Sequence, residues 1–422
     1  MGFTLNDKFW RGGSGSTDDE KGDFTRVNEV ADTIDNAAAV DKSGGLVGIP
    51  ITGHAFSADD PVTIADTTNY DGVYKIVSQT TNEIVITATY VAETFGGTET
   101  AKTYLASNWV VAAGSDGEPD LGVSYPVAAD TMHFTGRATI VPTTYTGTKH
   151  VKGSHYNCYD NMDQGPDDCQ GVEIAAGFTG LIGKNSALGA SPDPLQLSLA
   201  AGKVLSFRSD SEAHIKIKTA SKVVPKVVHD SASGILAISG VNDTNAVWTL
   251  IEIYGAGTLE VEDDTKFTDI YNFGTAIVTI KETCPAGNVY AYGGAVYSDS
   301  PLAAVKGYGT ATFTLGQTSL TNPQEDLDIA SLEWLSSGIF TWRAAGKMTA
   351  CSNLGGGRIN VVGPGDKQIG NSSNTFYLYS GTFDASGQEG SLSLGSGCTI
   401  LEKGGNFIAP PGTEITAFTT GN

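Results

Sequence analysis

The feature that most constrains this chain is a series of glycine-led units between Leu250 and Trp342. It reads Leu250-Ile251-Glu252-Ile253-Tyr254, then Gly257-Thr258-Leu259-Glu260-Val261-Glu262 and Gly274-Thr275-Ala276-Ile277-Val278-Thr279-Ile280. Gly294-Ala295-Val296-Tyr297, Gly309-Thr310-Ala311-Thr312-Phe313-Thr314-Leu315 and Gly338-Ile339-Phe340-Thr341-Trp342 follow. Apolar and polar residues alternate within each unit, which is the two-residue period of a strand with one buried face. The glycines recur at irregular intervals, as in coils that tolerate insertions. Such a coil buries its inner face only by stacking on its neighbours. The pattern therefore predicts an all-β fold whose main body is a right-handed parallel β-helix.

Alternating segments at 195–199, 204–207, 214–218, 223–228 and 235–238 carry the same signal upstream. The solenoid is expected over residues 105–410, opening near Trp109, whose large ring can cap an exposed first coil. Residues 326–335 fit either a short helix or another coil strand. The turn-rich segment 411–422 is expected to be a tail or cap. Glycine is abundant (53 residues) and only 17% of residues are charged, so strand and turn should outweigh helix.

Residues 1–45 read as an N-terminal arm. Arg11-Gly12-Gly13-Ser14-Gly15-Ser16 is flexible-linker chemistry, and Val27, Val30, Ile34 and Ala38 have helical spacing with a thin apolar face. A disordered leader and an arm that orders against a neighbouring subunit or particle are both compatible with this composition. Phe9 and Trp10 favour the second, with Phe9, Trp10 and Arg11 as the docking residues, because large apolar side chains need somewhere to pack.

Residues 46–104 form a compact unit. Gly53-His54-Ala55-Phe56-Ser57 leads to Val62-Thr63-Ile64, then Asn69-Tyr70-Asp71-Gly72-Val73-Tyr74 and the strand Ile84-Val85-Ile86-Thr87-Ala88-Thr89-Tyr90-Val91. Asp-Gly between alternating runs is a hairpin signal. These motifs resemble a small β-barrel module that recurs in tailed-bacteriophage structural proteins. The resemblance implies a virion component assembled in the host cytoplasm. Its partners would be major capsid or other virion proteins, and the module itself would carry no catalysis. Such solenoids are commonly homotrimers, and a long β-face with few charges is a surface a trimer would bury.

The net charge of −22 argues against nucleic acid as a partner, since phosphate binding needs basic patches, and against anionic membranes. Met1 to Asn6 lacks the basic and apolar regions of a secretory leader, and no window is apolar enough to span a bilayer. Five scattered cysteines suit a reducing compartment.

Four groups of residues carry candidate chemistry. Asp160, Asp163, Asp167 and Asp168 cluster in an acidic loop that could hold calcium, although the spacing departs from an EF-hand. His150, His155, Cys158 and Cys169 could gather round zinc, and Cys158 and Cys169 could pair as a disulfide. A solvated excursion is the simplest account of the loop. Among Glu252, Glu260, Glu262, Asp263, Asp264, Asp269 and Glu282, the pair Glu260 and Glu262 lies about 7 Å apart at strand rise, near the spacing of an inverting glycosidase. Alternation puts polar groups on any solvent face, so the pair does not by itself argue catalysis.

Tyr254, Tyr271 and Tyr292, with Phe273, Tyr290, Tyr297 and Tyr308, would stack coil on coil, and the same rings could bind sugar. Gly355-Gly356-Gly357-Arg358 lacks the Lys-Ser/Thr of a phosphate loop, and no cofactor is implied. The expectation is a non-catalytic trimeric decoration protein docked on a capsid by its arm. The alternative is a tail spike or receptor-binding fibre that recognises, and could cleave, host surface polysaccharide.

Overall fold

The computed structural model describes residues 7–12, 22–26, 29–104, 107–111, 121–123, 125–135, 139–140, 149–150, 156–184, 193–241, 245–316, 326–353, 355–371, 375–411 and 418–420. The chain is all-β with about 1% helix, and it divides into two units, Met1–Leu195 and Gln196–Asn422.

The first unit contains a seven-stranded sheet in the spatial order Glu29–Thr33, Thr100–Tyr104, Pro61–Ala65, Gly72–Thr80, Glu83–Thr87, Leu46–Pro50 and Val40–Asp41. Every pairing in it is antiparallel. Alternation along Leu46–Pro50 and Glu83–Thr87 turns Val47, Ile49, Ile84 and Ile86 into a core with Phe56, Ile64 and Ile76. The sheet begins earlier than the sequence suggested. The helical spacing after Val27 gives way to the strand Glu29–Thr33, which pairs with Thr100–Tyr104 while Ile34 is buried in the same core. An apolar face that thin cannot hold a helix on a sheet, whereas a paired strand needs only alternate positions.

A second cluster in this unit surrounds Asp7–Trp10. This strand pairs antiparallel with Trp109–Val111 and parallel with Thr131–Phe134, which continues parallel to Gly171–Ile174. Phe9, Trp10, Phe24, Trp109 and Phe134 are all fully buried. The Trp10 and Trp109 rings meet edge to face at 5.2 Å, and Trp10 Nε1 donates to the Tyr156 carbonyl at 2.9 Å.

The second unit is a parallel β-solenoid, and the chain completes about nine turns. Each turn contributes one strand to each of two parallel ladders. The first ladder runs through Val223–His229, Val247–Ile253, Phe267–Asn272, Asn288–Ala291, Leu302–Gly307 and Ile329–Trp334. The second runs through Ile235–Ser239, Thr258–Val261, Ile277–Ile280, Ala295–Ser298, Thr312–Leu315 and Ile339–Trp342. Residues 329–334 are thus a coil strand and not a helix.

Like residues stack inside. Leu259, Val278, Val296, Phe313 and Phe340 are successive register partners with almost no exposure, and Phe313 and Phe340 stack at 5.2 Å. At the corner between the ladders the backbones nearly touch. A Cβ built on Gly274 would lie 2.1 Å from the Gly255 carbonyl oxygen, and one on Gly338 would lie 2.2 Å from that of Ala311. Only glycine fits there.

One of the buried polar side chains in this unit is a lysine. Lys367 is buried, and its Nζ donates to the Gly365 carbonyl at 3.1 Å and sits 6.0 Å from the Trp342 ring centre. Gln388 Nε2 donates to the same carbonyl at 2.7 Å. Burial pushes the Lys367 ammonium down to about 8.

Candidate functional site: an exposed aromatic ladder

The first residue after each first-ladder strand donates its backbone N–H to the carbonyl of the preceding coil. Tyr254 reaches His229 at 2.9 Å, Phe273 reaches Ile253 at 2.8 Å, Tyr292 reaches Asn272 at 2.8 Å and Tyr308 reaches Ala291 at 2.7 Å. One hydrogen bond, repeated turn after turn, therefore sets four rings in a column on the outer surface. Their centroids follow at 5.3, 4.9 and 4.5 Å, with planes 13° to 28° apart. Two residues earlier in their strands, Tyr271 and Tyr290 form a second stack at 4.5 Å, and Tyr271 lies 5.7 Å from Phe273.

Tyr254, Tyr271 and Tyr292 are thus brought together with Phe273, Tyr290 and Tyr308, whereas Tyr297 belongs to the second ladder. Tyr254 is 50% exposed, Phe273 42% and Tyr292 37%. Because the rings stack face to face along the column, each covers its neighbours' faces and turns an edge to solvent. Sugar stacking needs a face. Phe273 covers one face of Tyr254. On the other side lies the turn carrying Asp230, whose N–H makes the same corner bond to the Phe207 carbonyl at 2.8 Å.

Ion pairs flank the rings. Lys226 Nζ lies 2.9 Å from Glu252 Oε2, which also accepts from the Tyr254 hydroxyl at 2.9 Å. The Lys226 hydrogen bond holds Glu252 below the usual carboxylate range, and the bond to Glu252 raises the Tyr254 phenol. Burial raises Tyr271 and Tyr308 as well, so these hydroxyls stay protonated donors at neutral pH. On the far side Lys306 pairs with Glu333 at 2.7 Å.

The carboxylate pair singled out from the sequence does not stand free. Glu262 lies just beyond the strand Thr258–Val261, and both its oxygens accept from Lys281 Nζ, at 2.8 and 2.7 Å. Burial alone would lower Lys281, but the hydrogen bond and charge of Glu262 outweigh it and raise the ammonium. Glu260 occupies the outward register position between Ala237 and Thr279. With both oxygens already engaged by Lys281, Glu262 is not a free partner for Glu260.

In the acidic loop, Met162–Gln164 is a turn of 3₁₀ helix, and buried Met162 brings its sulfur 3.7 Å from Cys158 Sγ. Asp160 bridges to Asp23 through the backbone, and Asp163 points outward. Among the described residues no three ligating side chains converge into a metal site that would unite Asp160, Asp163, Asp167 and Asp168. His155 and the His150 side chain, proposed with Cys158 and Cys169 for zinc, lie outside the described residues. All five cysteines are free and buried, so the Cys158–Cys169 disulfide weighed as an alternative is not formed. Burial raises every one of these thiols, Cys169 to about 12 and Cys284 to about 11.

Phe9 and Trp10 are core residues of their own unit, and Arg11 is exposed with its N–H donated to the Asn108 carbonyl at 2.8 Å. In this conformation the two rings have no free surface with which to dock. Fold and site define an all-β protein whose second unit is a solenoid bearing an exposed aromatic ladder. No family model matches the chain, and neither curated proteins nor solved structures show a match to it.

Proposed function

We propose that the chain is a structural protein of a tailed-bacteriophage virion, a non-catalytic decoration protein that displays its solenoid from the particle surface. The observation that carries the non-catalytic part is the engagement of the outer side chains with one another. The aromatic faces are spent on coil-to-coil stacking, and Glu262 is held by Lys281. Such a surface favours rigidity over chemistry. The virion assignment rests on the resemblance of residues 46–104 to the phage module. In this reading that module closes as a small barrel, the solenoid winds right-handed, and three copies associate.

Docking on a capsid protein then falls to the outer surface of the first unit, since Phe9 and Trp10 are enclosed within it. Added buried area between neighbouring shell subunits would stabilise the shell. An antibody against the solenoid, viewed on intact particles by electron microscopy, tests the reading. Label over the head supports it, and label confined to the tail end overturns it.

One observation favours a second reading, the receptor-binding fibre. Tyr254 ends the ladder with Phe273 on one face only, and Asp230, Glu252 and Lys226 lie close by in the fold. A pyranose stacked on that ring would find hydrogen-bond partners for its hydroxyls. Loss of particle adsorption to host envelope polysaccharide in Tyr254→Ala, with particle yield intact, would support it. Unchanged adsorption would remove it.

A further inference from the structure

We propose that His133 is a pH latch on the N-terminal strand Asp7–Trp10, holding it in its sheet as an imidazolium between two carboxylates and loosening it when the ring loses a proton. Phe9, His133 and Glu173 are register neighbours on three parallel strands. His133 Nε2 lies 3.0 Å from Asp7 Oδ1, and Nδ1 lies 2.9 Å from Glu173 Oε2. The ring is buried and stacks on Phe9, with centroids 4.7 Å apart and planes at 19°. An ionised carboxylate only accepts, so satisfying both contacts requires a hydrogen on each ring nitrogen, which is the protonated form. Removing one proton leaves a ring lone pair facing a carboxylate oxygen where water has little access.

Among the described residues, the charged groups facing the ring are Asp7 on the N-terminal strand and Glu173 on Gly171–Ile174. Lys8, on the alternate face of its strand, pairs with Asp130 at 2.9 Å and forms a second tie from the same strand. Burial alone would pull His133 below its ordinary 6.5, but the hydrogen bonds and charges of Asp7 and Glu173 outweigh it and the net shift is upward. A base whose folded value is raised contributes stability that is complete below the unfolded value and lost as pH rises through the folded one. The strand is therefore held most firmly at and below about pH 6.5 and loosens on the alkaline side. Opening it would expose Phe9 and Trp10, the two largest apolar side chains that it buries. The latch is independent of the virion assignment.

Hydrogen exchange by mass spectrometry on the full chain tests this, reading the peptide that covers residues 7–12 after correction for the intrinsic pH dependence of exchange. One titrating proton allows the opening constant to rise by up to about tenfold per pH unit above 6.5, flattening past the folded value. In Glu173→Gln, at a partly exposed position where the fold tolerates change, one carboxylate is gone, so the folded value falls and the rise should level off at lower pH and be smaller. His133→Gln should abolish the rise altogether. A flat wild-type profile between pH 6 and 9, or a rise that Glu173→Gln leaves unchanged, would overturn the proposal.

Discussion

Gly274→Ala should unlatch one corner of the solenoid. The new Cβ would stand 2.1 Å from the Gly255 carbonyl oxygen and 2.5 Å from that of Tyr254, and both are backbone atoms that cannot swing aside. An ordinary contact needs more than 3 Å, so the two coils must part by about 1 Å where strands normally sit about 4.8 Å apart. Forcing in a methyl of this kind costs about 1–3 kcal/mol. The parting also stretches the bonds from the Phe273 and Gly274 N–H groups to the Ile253 carbonyl, now 2.8 and 3.1 Å, each with a net value of about 1 kcal/mol. Reduced freedom of the unfolded chain returns about 0.4–1 kcal/mol.

The expected loss is roughly 3 kcal/mol, which at a urea dependence of about 3 kcal/mol per molar lowers the midpoint by about 1 M. Gly356→Ala is the control, because a Cβ there meets nothing within 4 Å. It should stay within about 0.5 kcal/mol of wild type. If Gly274→Ala behaves like Gly356→Ala, the corner is not sterically closed and the account of the glycine series is wrong.

Three further outcomes are expected. Lys367→Met should stabilise the solenoid at pH 7 by on the order of 3 kcal/mol, because an ammonium held at about 8 instead of 10.5 disfavours the folded state while protonated. Wild-type stability should correspondingly rise between about pH 8 and 10 in urea titrations, and the variant should lack that rise. Phe273→Ala removes one of the two inner rings of the column and should cost about 1–3 kcal/mol by the same titration, since each ring pair contributes about 0.5–1.5 kcal/mol beyond burial. Glu262→Gln should change stability by less than about 1 kcal/mol, as expected of a half-exposed ion pair, and should release no sugar-cleaving activity to lose.

The glycine-led units identified the second ladder almost strand for strand. Gly257, Gly274, Gly294, Gly309 and Gly338 each stand at the corner before one of its strands. Of the intervening first-ladder strands, Phe267–Asn272 and Leu302–Gly307 carry no such marker, and Asn288–Ala291 follows Gly287, which falls outside the series that the alternation picks out. Half of each turn was therefore hard to see in the sequence.

The aromatic residues were visible as a scatter, but their alignment depends on turn lengths that differ between coils. Nor does local sequence show that stacking would cover the ring faces. The Asp7–His133–Glu173 cluster left no signal at all, since its members are distant in sequence and meet only through the sheet. Phe9 and Trp10 looked like docking residues for the same reason: a linker follows them directly, while their burial partners Trp109 and Phe134 come much later.

The depth at which the five cysteines lie has a practical consequence. With every thiol enclosed and shifted toward the neutral form, the folded protein offers alkylating reagents scarcely any nucleophilic sulfur. A single cysteine introduced at an exposed turn, such as Ser337, would then be the one position a maleimide dye or gold cluster marks. The native sulfurs could stay in place, and each labelled turn would supply one coordinate for locating the solenoid within whatever larger assembly it joins.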